Sequence, residues 1–224
     1  MRLLNVTNLT KTFGGLVAIN NINFSMEPGQ IVSVIGPNGA GKTTFFNMIS
    51  GYYIPDSGTI TFDGRNLTKL SPERVAQQGI ARTFQNIRLF KDMLVAENIL
   101  VGRYMRMKES LFDIVLRLPR LQREEQAAYD KVLELLDYVG LSGKEQELAK
   151  NLSYGQQRRL EIARALALEP KLLLLDEPAA GLNPKETEEM KSFILKLRRD
   201  KGVTILLIEH DMKLVMGLSD RITV

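Results

Sequence analysis

Short apolar runs at 31–35, 171–175 and 203–208 are rich in Val, Ile and Leu and too brief for helices, so each predicts a buried strand. Between them the period changes. Residues 42–51 carry a helical pattern closed by Gly51. Ser71-Pro72 supplies the N-cap and first position of a helix over 73–78, with Gly79 after it. Residues 1–35 and 58–63 are β-rich, with Pro28-Gly29 and Asp63-Gly64 as turn signals. From about 95 to 150 the spacing becomes helical. Leu111, Ile114, Val115 and Leu118 recur before Pro119, and Val132, Leu135, Leu136 and Val139 before Gly140. These stripes predict a helical subdomain whose apolar faces serve packing. Asn183-Pro184-Lys185-Glu186 opens another helix with a capping box, acidic at its start (Glu186, Glu188, Glu189), basic at its end (Lys196, Arg198, Arg199) and stopped by Gly202. Strands alternating with helices predict an α/β fold with a parallel sheet covered on both faces.

At 224 residues the chain suits one core with a subdomain better than two independent domains. Its net charge of +4 is compatible with nucleotide, nucleic acid or an anionic membrane surface and selects none of them. The absence of cysteine excludes disulfides and cysteine metal sites. No apolar stretch reaches the ~18 residues of a membrane span, and the first ten residues lack a signal-peptide core. A soluble, cytoplasmic protein is expected, with any membrane role coming through a partner.

Gly36-Pro37-Asn38-Gly39-Ala40-Gly41-Lys42-Thr43 fits G-x-x-x-x-G-K-[ST], the phosphate-binding loop of nucleoside triphosphatases. A chance match in a chain of this length arises about one time in a hundred from ordinary residue usage. Here the loop joins a predicted strand to a predicted helix. A helix start offers unpaired N–H groups and roughly half a positive charge to a polyphosphate. The apolar run 172–175 ends in Asp176-Glu177, an arrangement that is costly unless a cation or water uses it. In phosphate-loop enzymes an aspartate at this place helps hold Mg²⁺, with the loop Ser/Thr, here Thr43, as ligand. Glu177, one residue nearer solvent, is placed to accept a proton from an attacking water or to orient it.

His210 is the only histidine and follows the strand 203–208, on the edge of a parallel sheet where ligands bind. Both a structural role and one facing a γ-phosphate or attacking water fit that place. Ser153 and Gly155 introduce the helical run 158–166, and their helix start makes either a second anion site or a plain N-cap.

In order along the chain, Gly36 to Thr44, Gln85 in Thr83-Phe84-Gln85, Leu152 to Gln157, Leu172 to Glu177, Ala180-Gly181-Leu182-Asn183 and His210 resemble the ATPase subunits of ABC transporters. The resemblance covers essentially the whole chain. It implies one ABC ATPase domain over 1–224. The phosphate-loop (RecA-like) NTPase core occupies about 1–88 and 165–224 with an N-terminal antiparallel β part, and a helical subdomain carrying the signature motif is inserted at about 89–164. Further strands and helices are implied beyond Val224. ATP and Mg²⁺ are the implied cofactors. In that family two subunits meet head to tail around two ATPs. Ser153, Gly155 and Gln156 would then contact ATP in trans, Gln85 would sense Mg²⁺ and water, and Phe13 would stack on adenine. Gly36 to Thr44 would hold the phosphates; Glu177, His210 and Gln85 would be catalytic; Thr43, Gln85 and Asp176 would serve the metal.

Longer strings starting at Arg82-Thr83-Phe84-Gln85, Asp176-Glu177-Pro178-Ala179 and Ile208-Glu209-His210-Asp211 are similar to one of the two ATPases of branched-chain amino acid importers. The implied partners are membrane-spanning permease subunits, a sister ATPase or a second copy, and indirectly a substrate-binding protein, with no direct nucleic acid contact. Residues 86–94 would dock a cytoplasmic helix of the permease, at the cytoplasmic face of the membrane. Three positions depart from the general pattern: Tyr154 replaces the usual signature glycine, Asn183 the usual aspartate of the following loop, and Phe13 a frequent tyrosine. A competing expectation is a soluble ABC ATPase acting on nucleic acid or the ribosome. Such proteins usually carry two cassettes, long coiled coils or zinc motifs, against one cassette, no cysteine and a short helical insert here.

Overall fold

The computed structural model describes residues 2–104 and 119–224. The stripe Leu111, Ile114, Val115 and Leu118 lies outside the described residues. The chain divides into two compact units, Met1–Gln85 with Pro170–Val224, and Asn86–Glu169.

In the first unit, among the described residues, one sheet is antiparallel and one is parallel. The antiparallel sheet has the order β2-β1-β4-β5, from β1 (Leu4–Phe13), β2 (Leu16–Met26), β4 (Ser57–Phe62) and β5 (Arg65–Asn66). β4 turns into β5 through Asp63 and Gly64 at φ 47° and 77°, both left-handed as a two-residue hairpin turn requires. The parallel sheet runs β6-β7-β8-β3-β9. Its strands are β3 (Ile31–Val34), β6 (Ile80–Arg82), β7 (Leu172–Asp176), β8 (Thr204–Ile208) and β9 (Arg221–Thr223). Every residue of β3, β7 and β8 is buried, which is why these strands read as continuous apolar runs and not as alternating ones.

Helix α1 (Lys42–Ile49) ties the two sheets into one core: Phe45, Phe46, Met48 and Ile49 share an apolar cluster with Leu4, Ile60 and Phe62 of one sheet and Val32, Leu174 and Leu206 of the other. Helix α2 (Pro72–Gln77) starts after Ser71 with proline in its first turn, as expected.

The second unit is helical among its described residues: α3 (Val95–Tyr104), α4 (Pro119–Tyr138), a 3₁₀ turn at Ala149–Asn151 and α5 (Tyr154–Leu166). Val132, Leu135, Leu136 and Val139 are buried, as their spacing predicts. α3 and α5 approach so closely that a Cβ on Gly102 would lie 2.4 Å from the carbonyl oxygen of Arg164. The segment before α3 is held from within. Buried Asn98 accepts from Phe90 N (2.9 Å) and donates to Phe90 O and Leu94 O (3.0 Å each), while Glu161 on α5 accepts from Arg88 N at 3.2 Å.

Back in the first unit, α6 (Pro184–Lys201) and α7 (Met212–Leu218) complete the layers. Asn183 forms the expected capping box: its side chain accepts from Glu186 N at 3.0 Å and Glu186 returns the bond to Asn183 N at 2.9 Å. Gly202 ends α6 at φ 63°.

Candidate functional site

The loop between β3 and α1 wraps around the start of the helix. Gly41 adopts φ 87°, and a Cβ there would sit 2.5 Å from Ala18 O and 2.9 Å from Ile19 Cδ1, so only glycine fits. Lys42 is 9% exposed, and its ammonium donates to the carbonyl oxygens of Gly36 (2.7 Å) and Pro37 (2.8 Å). A buried ammonium needs oxygen partners. The loop supplies them itself, and they hold the charge where a phosphate oxygen can replace them.

In front of the loop lies a cleft of about 480 Å³, within the size range of small-molecule sites. It is lined by Phe13, Asn38, Gly39, Gly41, Lys42, Thr43, Thr44, Gln85, Glu177 and His210, with Leu16, Val17, Ala18 and Ile208. The fold thus collects expected residues from chain positions as distant as Phe13 and His210. Gly36, Pro37 and Ala40 line a more apolar cavity of about 250 Å³ that shares Gly41 and Lys42 with the cleft. Phe13 stands near the tip of the β1–β2 hairpin, edge-on to Tyr53 with ring centroids 5.3 Å apart and with Lys11 Nζ 5.5 Å from its own. Lys11 and Thr12 are held by Asp56, which accepts from Lys11 Nζ (2.8 Å), Thr12 N (2.6 Å) and Thr12 Oγ1 (2.7 Å).

At one wall of the cleft the Glu177 carboxylate is clamped from both sides. Gln85 Nε2 donates to Oε2 at 2.9 Å, and His210 Nε2 lies 3.1 Å from Oε1. Glu177 has φ 48°, a left-handed conformation uncommon for a residue with a long side chain and typical of functional sites. Both acids at the end of β7 are engaged, by different groups. Asp176 is buried and pairs through Oδ2 with Arg82 Nη2 at 2.9 Å. The cation anticipated for this strand end is therefore in part the chain's own arginine.

Ser153 and Gln156, in the helical unit, form a reciprocal capping box at the start of α5: Ser153 Oγ accepts from Gln156 N at 3.4 Å and Ser153 N donates to Gln156 Oε1 at 3.1 Å. The helix begins at Tyr154, four residues before the helical run read from the sequence, so Gly155 and Gln156 belong to its first turn. The Tyr154 ring lies 5.9 Å from the guanidinium of fully buried Arg158, and Arg158 Nη2 reaches the Tyr154 hydroxyl at 3.4 Å. That contact accounts for tyrosine at this place.

Residues 19–180 match the ABC transporter family. The chain belongs to that family. It is 51% identical over 222 residues to the high-affinity branched-chain amino acid transport ATP-binding protein LivG of Escherichia coli K12, covering 99% of this chain and 87% of that protein. It is 49% identical, with the same coverage, to the branched-chain amino acid transport ATP-binding protein BraF of Pseudomonas aeruginosa. Among solved structures, a nucleotide-free ATP-binding cassette from an ABC transporter superposes with a TM-score of 0.84 at 34% identity, covering 98% of this chain and 86% of that one. The ADP conformation of the cassette MJ1267 gives the same TM-score and identity, covering 98% and 85%. These neighbours share the phosphate-loop α/β fold expected from the motifs.

Two residues of this ABC protein's site escaped sequence reasoning. Arg82, three residues before Gln85, also donates through Nη1 to Asn47 (2.6 Å) and Ser50 (3.1 Å) on and after α1, and its guanidinium lies 5.1 Å from the Phe84 ring centroid. It thereby joins the phosphate-loop helix, the strand leading to Gln85 and Asp176. Glu209 is 4% exposed and bonds the backbone on both sides of the site. An acid at the end of an apolar strand, the signal that marked Asp176, was present for Glu209 too.

Proposed function

We propose that this chain is the ATP-binding and ATP-hydrolysing subunit of an ABC importer for branched-chain amino acids (leucine, isoleucine, valine). It works as a head-to-tail dimer, with itself or a sister ATPase, on membrane-spanning permease subunits that receive cargo from a substrate-binding protein. The observation that carries hydrolysis is the Glu177 carboxylate clamped between Gln85 and His210 in the cleft that Lys42 also lines. The names of LivG and BraF support the cargo. Among the described residues no helix is long and apolar enough to cross a membrane. In this reading the chain sits at the cytoplasmic face, with the permease docked on residues 86–94.

ATP binds with its phosphates against the backbone N–H groups of the loop 36–44, Pro37 excepted, where the start of α1 contributes partial positive charge. Lys42 exchanges the carbonyls of Gly36 and Pro37 for β- and γ-phosphate oxygens, and Phe13 packs on adenine. Glu177 accepts a proton from the water whose oxygen attacks the γ-phosphorus. The bond to the β–γ bridging oxygen breaks, and ADP and phosphate leave. Gln85 and His210 hold the carboxylate in line, and Ser153, Gly155 and Gln156 of the second subunit close the site in trans. Thr43, Gln85 and Asp176 offer hydroxyl, amide and carboxylate oxygens, hard donors that suit Mg²⁺, and Arg82 engages only Oδ2 of Asp176. When bound, the ion neutralises charge on the β- and γ-phosphates.

Phosphate release by the wild type and by Glu177→Gln tests the hydrolytic role. The amide keeps the shape but accepts no proton, so turnover is expected to fall by roughly 10²- to 10⁴-fold with ATP binding retained. Equal steady-state turnover in the two proteins would remove Glu177 from the chemistry.

A further inference from the structure

Glu209 closes β8 and is buried, yet neither of its carboxylate oxygens is turned to the chemistry. Oε1 accepts from Ala179 N at 2.9 Å and Oε2 from His210 N at 3.0 Å. Ala179 lies two residues beyond Glu177, on the segment leaving β7; His210 opens the segment leaving β8. Two further bonds join the same segments: Glu177 N donates to Ile208 O at 2.9 Å, and His210 Nε2 meets Glu177 Oε1 at 3.1 Å. The left-handed backbone of Glu177 persists only where its surroundings over-determine it, and these cross-links are the surroundings. Bonds from backbone N–H to an ionised carboxylate are the stronger kind, and a double acceptor ties two segments through one side chain.

We infer that Glu209 is a positioning residue: it locks the segment after β7 to the segment after β8 and thereby keeps His210 on the Glu177 carboxylate. The inference rests on the hydrolytic roles proposed above for Glu177 and His210. Glutamine cannot substitute, since it offers one acceptor oxygen and presents its NH₂ group to the second backbone donor. Aspartate keeps the charge but is one methylene short of spanning both amides.

His210 is the only histidine, so a single set of imidazole resonances in an NMR spectrum of the full chain reports its contact with Glu177. Glu177→Gln is introduced with Glu209 intact and again beside Glu209→Gln. With Glu209 intact the substitution is expected to move the imidazole resonances; beside Glu209→Gln it should leave them in place. In parallel, Glu209→Gln should lower kcat by about 10- to 100-fold, as small misplacements of reacting groups do, with the Kd for ATP within about twofold of wild type. An equal displacement in both backgrounds, or a kcat within about twofold of an active wild type, would overturn the inference. If Glu209→Gln does not fold, Glu209→Asp serves in the same comparison. A wild type without hydrolysis would count against the hydrolytic function alone, while the imidazole response still decides on Glu209.

Discussion

Replacing Arg82 by methionine removes a guanidinium while keeping most of the side chain's apolar length. In the folded chain that guanidinium pairs with Asp176 at 2.9 Å, and the two side chains are 6% and 5% exposed. Water has little access to the partner left behind. Removing one member of a buried pair costs about 3–5 kcal/mol, because the remaining charge is stranded. Loss of the bonds to Asn47 and Ser50 adds to the cost, so the lower half of that range is the floor. A chain of this size loses about 2–4 °C of Tm per kcal/mol, giving an expected fall of about 6–20 °C. Asp176→Asn in the same molecule neutralises the stranded charge and should recover about 1–3 kcal/mol. Thermal unfolding of wild type, Arg82→Met and the double variant, without nucleotide, makes the comparison. A fall below about 2 °C, or no recovery in the double variant, would refute the reasoning.

Asp56 offers a pH test of the hairpin that carries Phe13. Its hydrogen bond from Lys11, and then those from Thr12, lower its pKa from 3.8 to about 2. A depressed folded pKa gives stability that is complete above the unfolded value and is lost as pH falls through the folded one. The Tm advantage of wild type over Asp56→Asn is therefore expected at pH 7 and should fade between about pH 4 and pH 2; a difference that does not change with pH contradicts it. Lys42→Ala removes the ammonium beside the β- and γ-phosphates, and calorimetric titration should show the Kd for ATP rising by about tenfold or more. An unaltered Kd would mean that the ammonium stays on the carbonyls of Gly36 and Pro37 when ATP is bound.

Much of this fold was legible because its strands are buried on both faces. The runs at 31–35, 171–175 and 203–208 became β3, β7 and β8 with ends moved by about a residue. β9 was not legible: Arg221-Ile222-Thr223 has no apolar run, and only pairing with β3 makes it a strand. The bulges of β1 against β2 were equally hidden, since Asn8 and Asn21 take φ 51° and 52° for reasons of pairing and not of local composition. At the site, the phosphate loop could be read because its chemistry is contiguous. Of the Gln85–Glu177–His210 clamp, Glu177 and His210 could be singled out from their places after β7 and β8 and Gln85 only by resemblance, while the contact among them was not legible, since its members are separated by 92 and 33 residues. Arg82 was missed for the same reason, as a side chain that acts on a partner 94 residues away leaves no local pattern. Glu209 did carry the signal of an acid at a strand end; what had no local pattern is its bond to Ala179, 30 residues away. Ser153 shows the converse. Its place in the sequence fits part of a second anion site or a plain N-cap, and the structure makes it the N-cap of α5, in a capping box with Gln156 that was not anticipated.

The most direct test of the central claim is uptake of labelled leucine by cells lacking their own copy of this gene and any redundant importer. They would be supplied with the full-length gene as wild type or as Glu177→Gln at equal protein levels. Uptake restored by the wild type and absent with Glu177→Gln is the expected result. Equal uptake in cells carrying wild type, Glu177→Gln or no copy would contradict an ATPase that powers branched-chain amino acid import.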